Sequence, residues 1–339
     1  MKQLIEAYRG RKVLVTGGLG FIGSILAARL ADLGSEVDVV DSLIPGQGGN
    51  HHNLEGYSSR IGVHILDIKH GDLMAHLVGG RDYIFNLAAY TSHVKSIEEP
   101  IVDLEVNCES HLSLLNTIRE INPECRVVYS GSRSQYGKAL YLPVDEEHPF
   151  NAVDINGVHM ATVELYHRLY HRIYNIRSCC LRLTNVFGPH HQMMHSKQGF
   201  LHWFIRLALD GGEINVFGDG EQYRDFVYVD DAVRAILLAG ANPDCYGDAF
   251  NVGTGKPISV AECARLVAEK AGGSYRLIPF PRDYLDVEVG DFYLDWQKIN
   301  RSVGWEPVVE FDEGLDLTVD FYRRNRSKYW EPADPGSSE

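Results

Sequence analysis

From residue 12 to residue 130 short apolar runs alternate with stretches in which apolar side chains return every three to four positions. Runs at 13–15, 36–40, 63–66, 83–87 and 126–130 predict strands, and helical patterns, the first from Ile22 to Leu33, separate most of them. A helical pattern from Asp154 to about Asn175 precedes a sixth apolar run at 178–183. On that helix Tyr166, Tyr170 and Tyr174 repeat every four residues, as do His167 and His171, which reads as one packing stripe. Strands that alternate with crossover helices predict an α/β fold, a doubly wound parallel Rossmann sheet. After Thr184 the pattern loosens into a helix, a Gly218-Asp219-Gly220 turn, a strand near 224–229 and a helix from Asp230. The expected organisation is a cofactor-binding domain over 1–183, rejoined by a segment at about 225–252. A smaller C-terminal substrate-binding subdomain over 184–325 and a polar, disordered tail over 326–339 complete it.

Where the first strand meets the first helix the chain reads Thr16-Gly17-Gly18-Leu19-Gly20-Phe21-Ile22-Gly23. Glycines at such a turn let backbone approach a pyrophosphate, and the helix N-terminus adds unpaired N–H groups and positive dipole. Asp41 closes the second strand 18 residues after Gly23, where a carboxylate accepts both ribose hydroxyls of an adenosine and repels a 2′-phosphate. Ser42 and Leu43 follow it, with no arginine, so the expected cofactor is NAD rather than NADP. Ligands of these sheets sit outside the carboxyl ends of the strands. Asp67-Ile68, Leu87-Ala88-Ala89 and Ser130-Gly131-Ser132 occupy those ends. Each alone is an ordinary strand end; together they trace one groove, with Asp67 placed to accept from an adenine amino group.

The chain has 339 residues, 45% hydrophobic and 23% charged, and a net charge of −14, which argues against nucleic acid or an anionic membrane as partner. No apolar run approaches the ~20 residues of a membrane span, and the N-terminus has no signal-peptide pattern. Six cysteines without metal-ligand spacing read as reduced thiols of a cytoplasmic protein. The segment 42–60, with Pro45, several glycines and His51-His52, is expected to be a mobile surface loop. His190-His191-Gln192-Met193-Met194-His195 reads as a polar, substrate-facing loop. A metal is disfavoured at both: adjacent His51 and His52 rarely converge on one ion and have no cysteine near, and the 190–195 group has no acidic or cysteine partner nearby.

These motifs in this order resemble the extended short-chain dehydrogenase/reductase family, the nucleotide-sugar epimerases and dehydratases, over about residues 11–325. The resemblance rests on the glycine turn and Asp41, Asn86-Leu87-Ala88-Ala89, and Asn107 at the next helix. It continues through Ser132-x-x-x-Tyr136-Gly137, Leu181 to Pro189, Arg224 to Asp231, and Gly304-Trp305-Glu306-Pro307. It implies NAD as cofactor, a nucleotide-diphosphate sugar as substrate, oxidation at sugar C4, and a homodimer through helices around 101–120 and 156–175. It also implies a catalytic Tyr and Lys four residues apart. Gly157 and Glu164 set the register, which puts Asn156 at the Tyr position and Met160 at the Lys position. Asparagine does not titrate near neutral pH, and a thioether neither lowers a neighbour's pKa nor grips a ribose. Loss of a general base costs ~10²–10⁴-fold in rate.

Several residues stand near enough in sequence to compensate. His159 is either the displaced base or a polar helix residue. Ser132, at the family's Ser/Thr position, is expected to bond the reacting oxygen. Tyr136 either leans into the site or packs in the turn, and His93 is a candidate contact for a substrate hydroxyl or pyrophosphate. Arg133-Ser134 stands where 4,6-dehydratases carry an acid, which counts against sugar dehydration. Arg133 either meets a substrate carboxylate or phosphate or lies on the surface. By resemblance Asn185 and Arg224 face the pyrophosphate, Arg224 alternatively pairing with Asp225 or Asp231, and Arg282 is a second phosphate candidate. Two readings follow: an enzyme with a non-standard proton carrier, or a protein that binds NAD and a nucleotide sugar without turnover.

Overall fold

The structure is a computed structural model and describes residues 2–281 and 288–330, the side chains of His93 and Val94 excepted. At its centre lies a seven-stranded sheet. Six strands come in succession: β1 (Lys12–Thr16), β2 (Glu36–Asp41), β3 (Ile61–Ile65), β4 (Tyr83–Asn86), β5 (Arg126–Ser132) and β6 (Arg177–Leu183). Ala249–Val252 returns as the seventh. Across the sheet the order is Ala249–Val252, β6, β5, β4, β1, β2, β3, with every pair parallel. The winding runs outward from β1 through β3, then resumes on the other side of β1 with β4. That reversal opens a crevice above the carboxyl ends of β1 and β4, the place where such sheets hold ligands.

Both faces of the sheet are covered, as its near-continuous apolar strands require. Val13, Val15, Val39, Phe85 and Val128 face one apolar layer with Leu4 and Tyr8 of α1 (Lys2–Tyr8), Leu26 and Leu30 of α2 (Phe21–Asp32), and Val233 and Ile236 of the helix Val229–Ala241. Leu14, Val40, Ile84 and Val127 face the opposite layer with Met74 and Val78 of α3 (Gly71–Val78). Leu114 and Ile118 of α6 (Ser110–Ile121) complete that layer. The alternation along each strand is the two-residue period of a pleat.

Leading into α6 the chain forms α4 (His93–Glu98), α5 (Pro100–Leu104) and one π-helical turn, Glu105–Glu109. α7 (Ile155–Tyr174) starts where the Asp154 carboxylate accepts from Gly157 N at 2.7 Å, and ends at Asn175 in the left-handed conformation, φ 56°. Toward the C-terminus Glu213–Phe217 pairs in parallel with Ser274–Ile278.

Two expectations give way. The segment 42–60 is not a free excursion: it contains a 3₁₀ turn, His51–Tyr57, with Asn53 and Leu54 buried. Asn53 Nδ2 donates to Leu19 O at 2.8 Å, and Tyr329 Oη donates to Asn53 Oδ1 at 2.6 Å. Over its described part, 326–330, the tail does not loosen after Asn325, and 331–339 lie outside the described residues. The helix Phe311–Tyr329 bends at Asn325 and continues, and Tyr329 and Trp330 are buried. Aromatic anchors at 329 and 330 outweigh the polar residues around them. All six cysteines are buried free thiols. No helix among the described residues is long and apolar enough to cross a membrane.

Candidate functional site

A cavity of about 320 Å³ opens at the carboxyl edge of the sheet. One end is walled by Gly17, Gly20, Phe21, Ile22, Asp41 and Asp67; Ile68, Leu87, Ala88, Ala89 and Ser130 line the floor; Ser132, Met160 and Asn185 close the far end. The sequence candidates for the cofactor thus meet on one surface, Asn107 excepted.

The glycine turn fits a dinucleotide because no side chain would. Gly17 has φ +67°, and a Cβ on it would lie 2.8 Å from Leu87 O. A Cβ on Gly23 would lie 2.2 Å from Gly17 O, so glycine there lets α2 begin against the turn. Thr16 locks the floor beneath: its hydroxyl donates to Asn86 Oδ1 at 2.8 Å and accepts from the N–H groups of Leu87 and Ala88 at 3.2 Å. The carboxylate of Asp41 accepts from Leu19 N at 3.1 Å and Leu43 N at 2.9 Å, which aims it across the cavity with lone pairs left for ribose hydroxyls.

Asn107 is not on the cavity wall. It sits in the π turn, fully buried, and bonds the backbone of Tyr90 in both directions at 2.7 Å. It holds in place the strand end that follows Ala88-Ala89. The Asp103 carboxylate lies beneath. Asn107 Nδ2 donates to it at 3.0 Å, Asn156 Nδ2 at 3.4 Å, and His159 Nδ1 lies 2.7 Å from its other oxygen. Asn156 also donates to Tyr90 O at 2.7 Å. Asn156 and His159 therefore belong to a buried network around Asp103, and neither is among the wall residues. Met160 is on the wall, with its sulfur accepting from Tyr129 Oη at 3.0 Å.

Ser132 closes β5 and caps the turn after it: its Oγ accepts from Ser134 N at 3.2 Å, and its own N–H donates to Gln135 Oε1 at 3.1 Å. Tyr136 does not lean into the site. It is fully buried, donates to Asn251 Oδ1 at 2.7 Å and accepts from Arg182 at 2.5 Å. Arg224 is taken up by neither Asp225 nor Asp231. Its partner is Glu288, at 2.5 Å, with Gly290 O at 2.6 Å. Asp225 is fully buried and occupied by Thr254 and the N–H of Leu294. Arg133 is not a surface residue. Its guanidinium lies over the Phe292 ring at 5.2 Å and reaches Asn185 Oδ1 at 3.3 Å. Burial, reinforced by Arg224, pulls its pKa down to about 10. The His93 side chain and Arg282 lie outside the described residues.

The histidine loop at 190–195 packs against the start of α2, and His191 and Gln192 line the same cavity as the glycine turn. His190 Nδ1 lies 2.9 Å from Ser24 Oγ, and His191 stacks on His202 at 3.8 Å, with Phe21 edge-on to both. Its contribution was not legible because these contacts join residues far apart in the chain. The same holds for Asp103, which carries no local motif.

A family model described as the NAD dependent epimerase/dehydratase family matches residues 13–253. The chain belongs to that family. Its cofactor is NAD. The chain is 33% identical to a UDP-glucose 4-epimerase of Mycolicibacterium smegmatis over 316 residues, 92% of this chain and 98% of that one. Among solved structures it is similar to the UDP-glucose 4-epimerase of Thermotoga maritima with UDP-glucose, at 32% identity and TM-score 0.83, covering 93% of this chain and 99% of that one. It is also similar to a UDP-N-acetylglucosamine 4-epimerase of Methanobrevibacter ruminantium in complex with UDP-N-acetylmuramic acid. There identity is 26% and the TM-score 0.86, covering 94% of this chain and 99% of that one.

Proposed function

We propose that the chain is an NAD-dependent epimerase or oxidoreductase of a nucleotide-diphosphate sugar, acting by oxidation at sugar C4. The continuity of one cavity from the glycine turn to Ser132 and Asn185 carries this reading. NAD, when bound, supplies the hydride acceptor. Ser132 Oγ accepts from Ser134 N and keeps its own proton, so it is free to orient the reacting sugar oxygen. Asn156 and Met160, at the positions of the family's Tyr and Lys, exchange no proton near neutral pH. The proton then passes to a non-standard carrier: another side chain, the substrate itself, or His159, which Asp103 orients and which would have to reach the cavity from behind its wall. Ser132→Ala is expected to lower kcat by about 10²-fold while leaving NAD affinity unchanged, measured by steady-state kinetics and nicotinamide fluorescence. Parent-like turnover in that variant would remove Ser132 from the mechanism.

A second reading, a sensor that binds without turnover, draws on the engagement of Asn156 by Tyr90 O and of Met160 by Tyr129. Purified protein with a panel of nucleotide sugars separates the two. A substrate-dependent change in nicotinamide absorbance or a new sugar supports the enzyme; tight binding with neither supports the sensor.

The homodimer has its support in α7. Val158, Leu165, Leu169 and Ile173 form an exposed apolar stripe on the side opposite Met160, Val163 and His167. Ile101 of the neighbouring α5 is 66% exposed and extends it. Leu169→Glu places a charge in that stripe and is expected to convert a dimer to a monomer in size-exclusion chromatography with light scattering. A monomeric parent protein would refute the interface.

A further inference from the structure

We propose that Arg133 is the receptor for a carboxylate carried by the hexose, so that the substrate is an acidic nucleotide sugar; this deepens the nucleotide-sugar reading and rests on it. The argument starts from charge balance. Arg224 stands close enough to disfavour the charge on Arg133, while the carboxylates of Glu288, Asp154 and Asp225 act on it from further away in the opposite direction. Arg224 is neutralised by Glu288 at 2.5 Å. Arg133 has no carboxylate within ion-pair distance among the described residues. Its polar contact is the amide oxygen of Asn185, at 3.3 and 3.4 Å, and its broad face rests on Phe292. A half-buried guanidinium held by a neutral amide and a ring keeps most of its five donors free for an anion.

Placement says which anion. Arg133 is not itself among the wall residues; it is joined by one peptide bond to Ser132, which is, and its guanidinium meets Asn185, also on that wall. The cation therefore stands just behind the end of the cavity that Ser132 and Asn185 close, opposite the glycine turn. The planar fork of an arginine matches a carboxylate in two parallel hydrogen bonds, a match that a hydroxymethyl group at the same sugar carbon does not offer. The alternative source of the same chemistry is the substrate's own diphosphate, which every nucleotide sugar carries. A diphosphate contact would give no preference among sugars, and a carboxylate contact gives a large one.

The test uses the full chain loaded with NAD, titrated with nucleoside diphosphate, diphospho-glucose and diphospho-glucuronate in the uridine, guanosine and deoxythymidine series. The parent is expected to bind one diphospho-glucuronate at least tenfold more tightly than the matching diphospho-glucose. Arg133→Gln is expected to abolish that preference while changing the affinity for diphospho-glucose less than twofold, and Arg133→Lys to retain part of it. Equal weakening of all three ligands by Arg133→Gln would assign Arg133 to the diphosphate and overturn the proposal. Binding of glucose and glucuronate forms with equal affinity by the parent would overturn the acidic substrate and leave the nucleotide-sugar reading standing. Silence toward every nucleotide would overturn both.

Discussion

Between pH 7 and pH 5 the folded chain is expected to lose most of its stability. His111, His190 and His191 are pushed down to about 4 and His167 to about 3, each chiefly by burial, and His202 is driven well below the ordinary range by burial and by His191. The unfolded chain binds five protons on these rings as pH falls through 6.5, and the folded chain refuses them until its own lower values are reached. Stability therefore rises with pH across this window, is complete above about 6.5, and is lost on acidification toward about 4. At pH 5 His111, His167, His190 and His191 each contribute about 2 kcal/mol of the loss, together on the order of 5–8 kcal/mol once some water access is allowed, with His202 acting in the same direction; this is comparable to the whole stability of a typical domain. Urea unfolding at pH 5, 6, 7 and 8 checks this; a midpoint that does not move between pH 7 and pH 5 would refute it. His167 supplies a control. It stacks on Tyr129 at 5.0 Å, and neither ring nitrogen has a hydrogen-bond partner among the described residues. His167→Phe keeps the stacking, removes one proton from the transition and is expected to stabilise the chain at pH 7 by about 1 kcal/mol.

The location of three of these rings ties acid sensitivity to the cofactor. His190, His191 and His202 gather over Ser24 and Phe21, at the N-terminus of α2, where the helix dipole already opposes positive charge. Protonation there loosens the cover of the glycine turn, so NAD release is expected to precede global unfolding.

The Rossmann sheet and the cofactor wall were legible because their signals are local. A glycine turn between strand and helix, an acid at the next strand end and small residues at Ala88-Ala89 are each written in a few adjacent positions. The substrate end was not, because its chemistry is decided by who pairs with whom across the fold. Arg224 read as a phosphate ligand or a partner of Asp225 or Asp231, and a glutamate 64 residues on holds it. Tyr136 lies four residues from Ser132, as the family motif requires, yet Arg182 and Asn251 draw it into the interior. Asn107 was placed on the cofactor by resemblance; the π turn instead aims it at the Tyr90 backbone, one step behind the wall. Asn156 and His159 share the carboxylate of Asp103, more than 50 residues earlier in the chain and marked by no motif.

Glu164→Ala is expected to destabilise the chain by about 3–5 kcal/mol, because it strands the charge of Arg182. Glu164 is fully buried and Arg182 is 3% exposed. The pair is bidentate, Nε to Oε2 at 2.8 Å and Nη2 to Oε1 at 2.6 Å, and the guanidinium stacks over Tyr136 and Phe150 at 4.9 and 4.8 Å. Burial by itself would lower the pKa of Arg182, but Glu164 more than reverses that and raises it. The same carboxylate accepts from Gln135 Nε2 at 2.9 Å, and Gln135 in turn receives the Ser132 N–H. One buried acid thus supports both the interior and the turn that presents the serine. The two roles separate in a double variant. Glu164→Leu with Arg182→Met removes both charges and keeps apolar volume, so it is expected to recover most of the stability lost in the single variant, measured by urea unfolding. It does not restore the acceptor for Gln135, so the Ser132 turn stays unsupported and kcat is expected to remain low in a protein that melts near the parent temperature. Equal instability of single and double variants would show that the ion pair is not what the single substitution breaks. Recovery of kcat along with stability would show that Ser132 does not depend on Glu164.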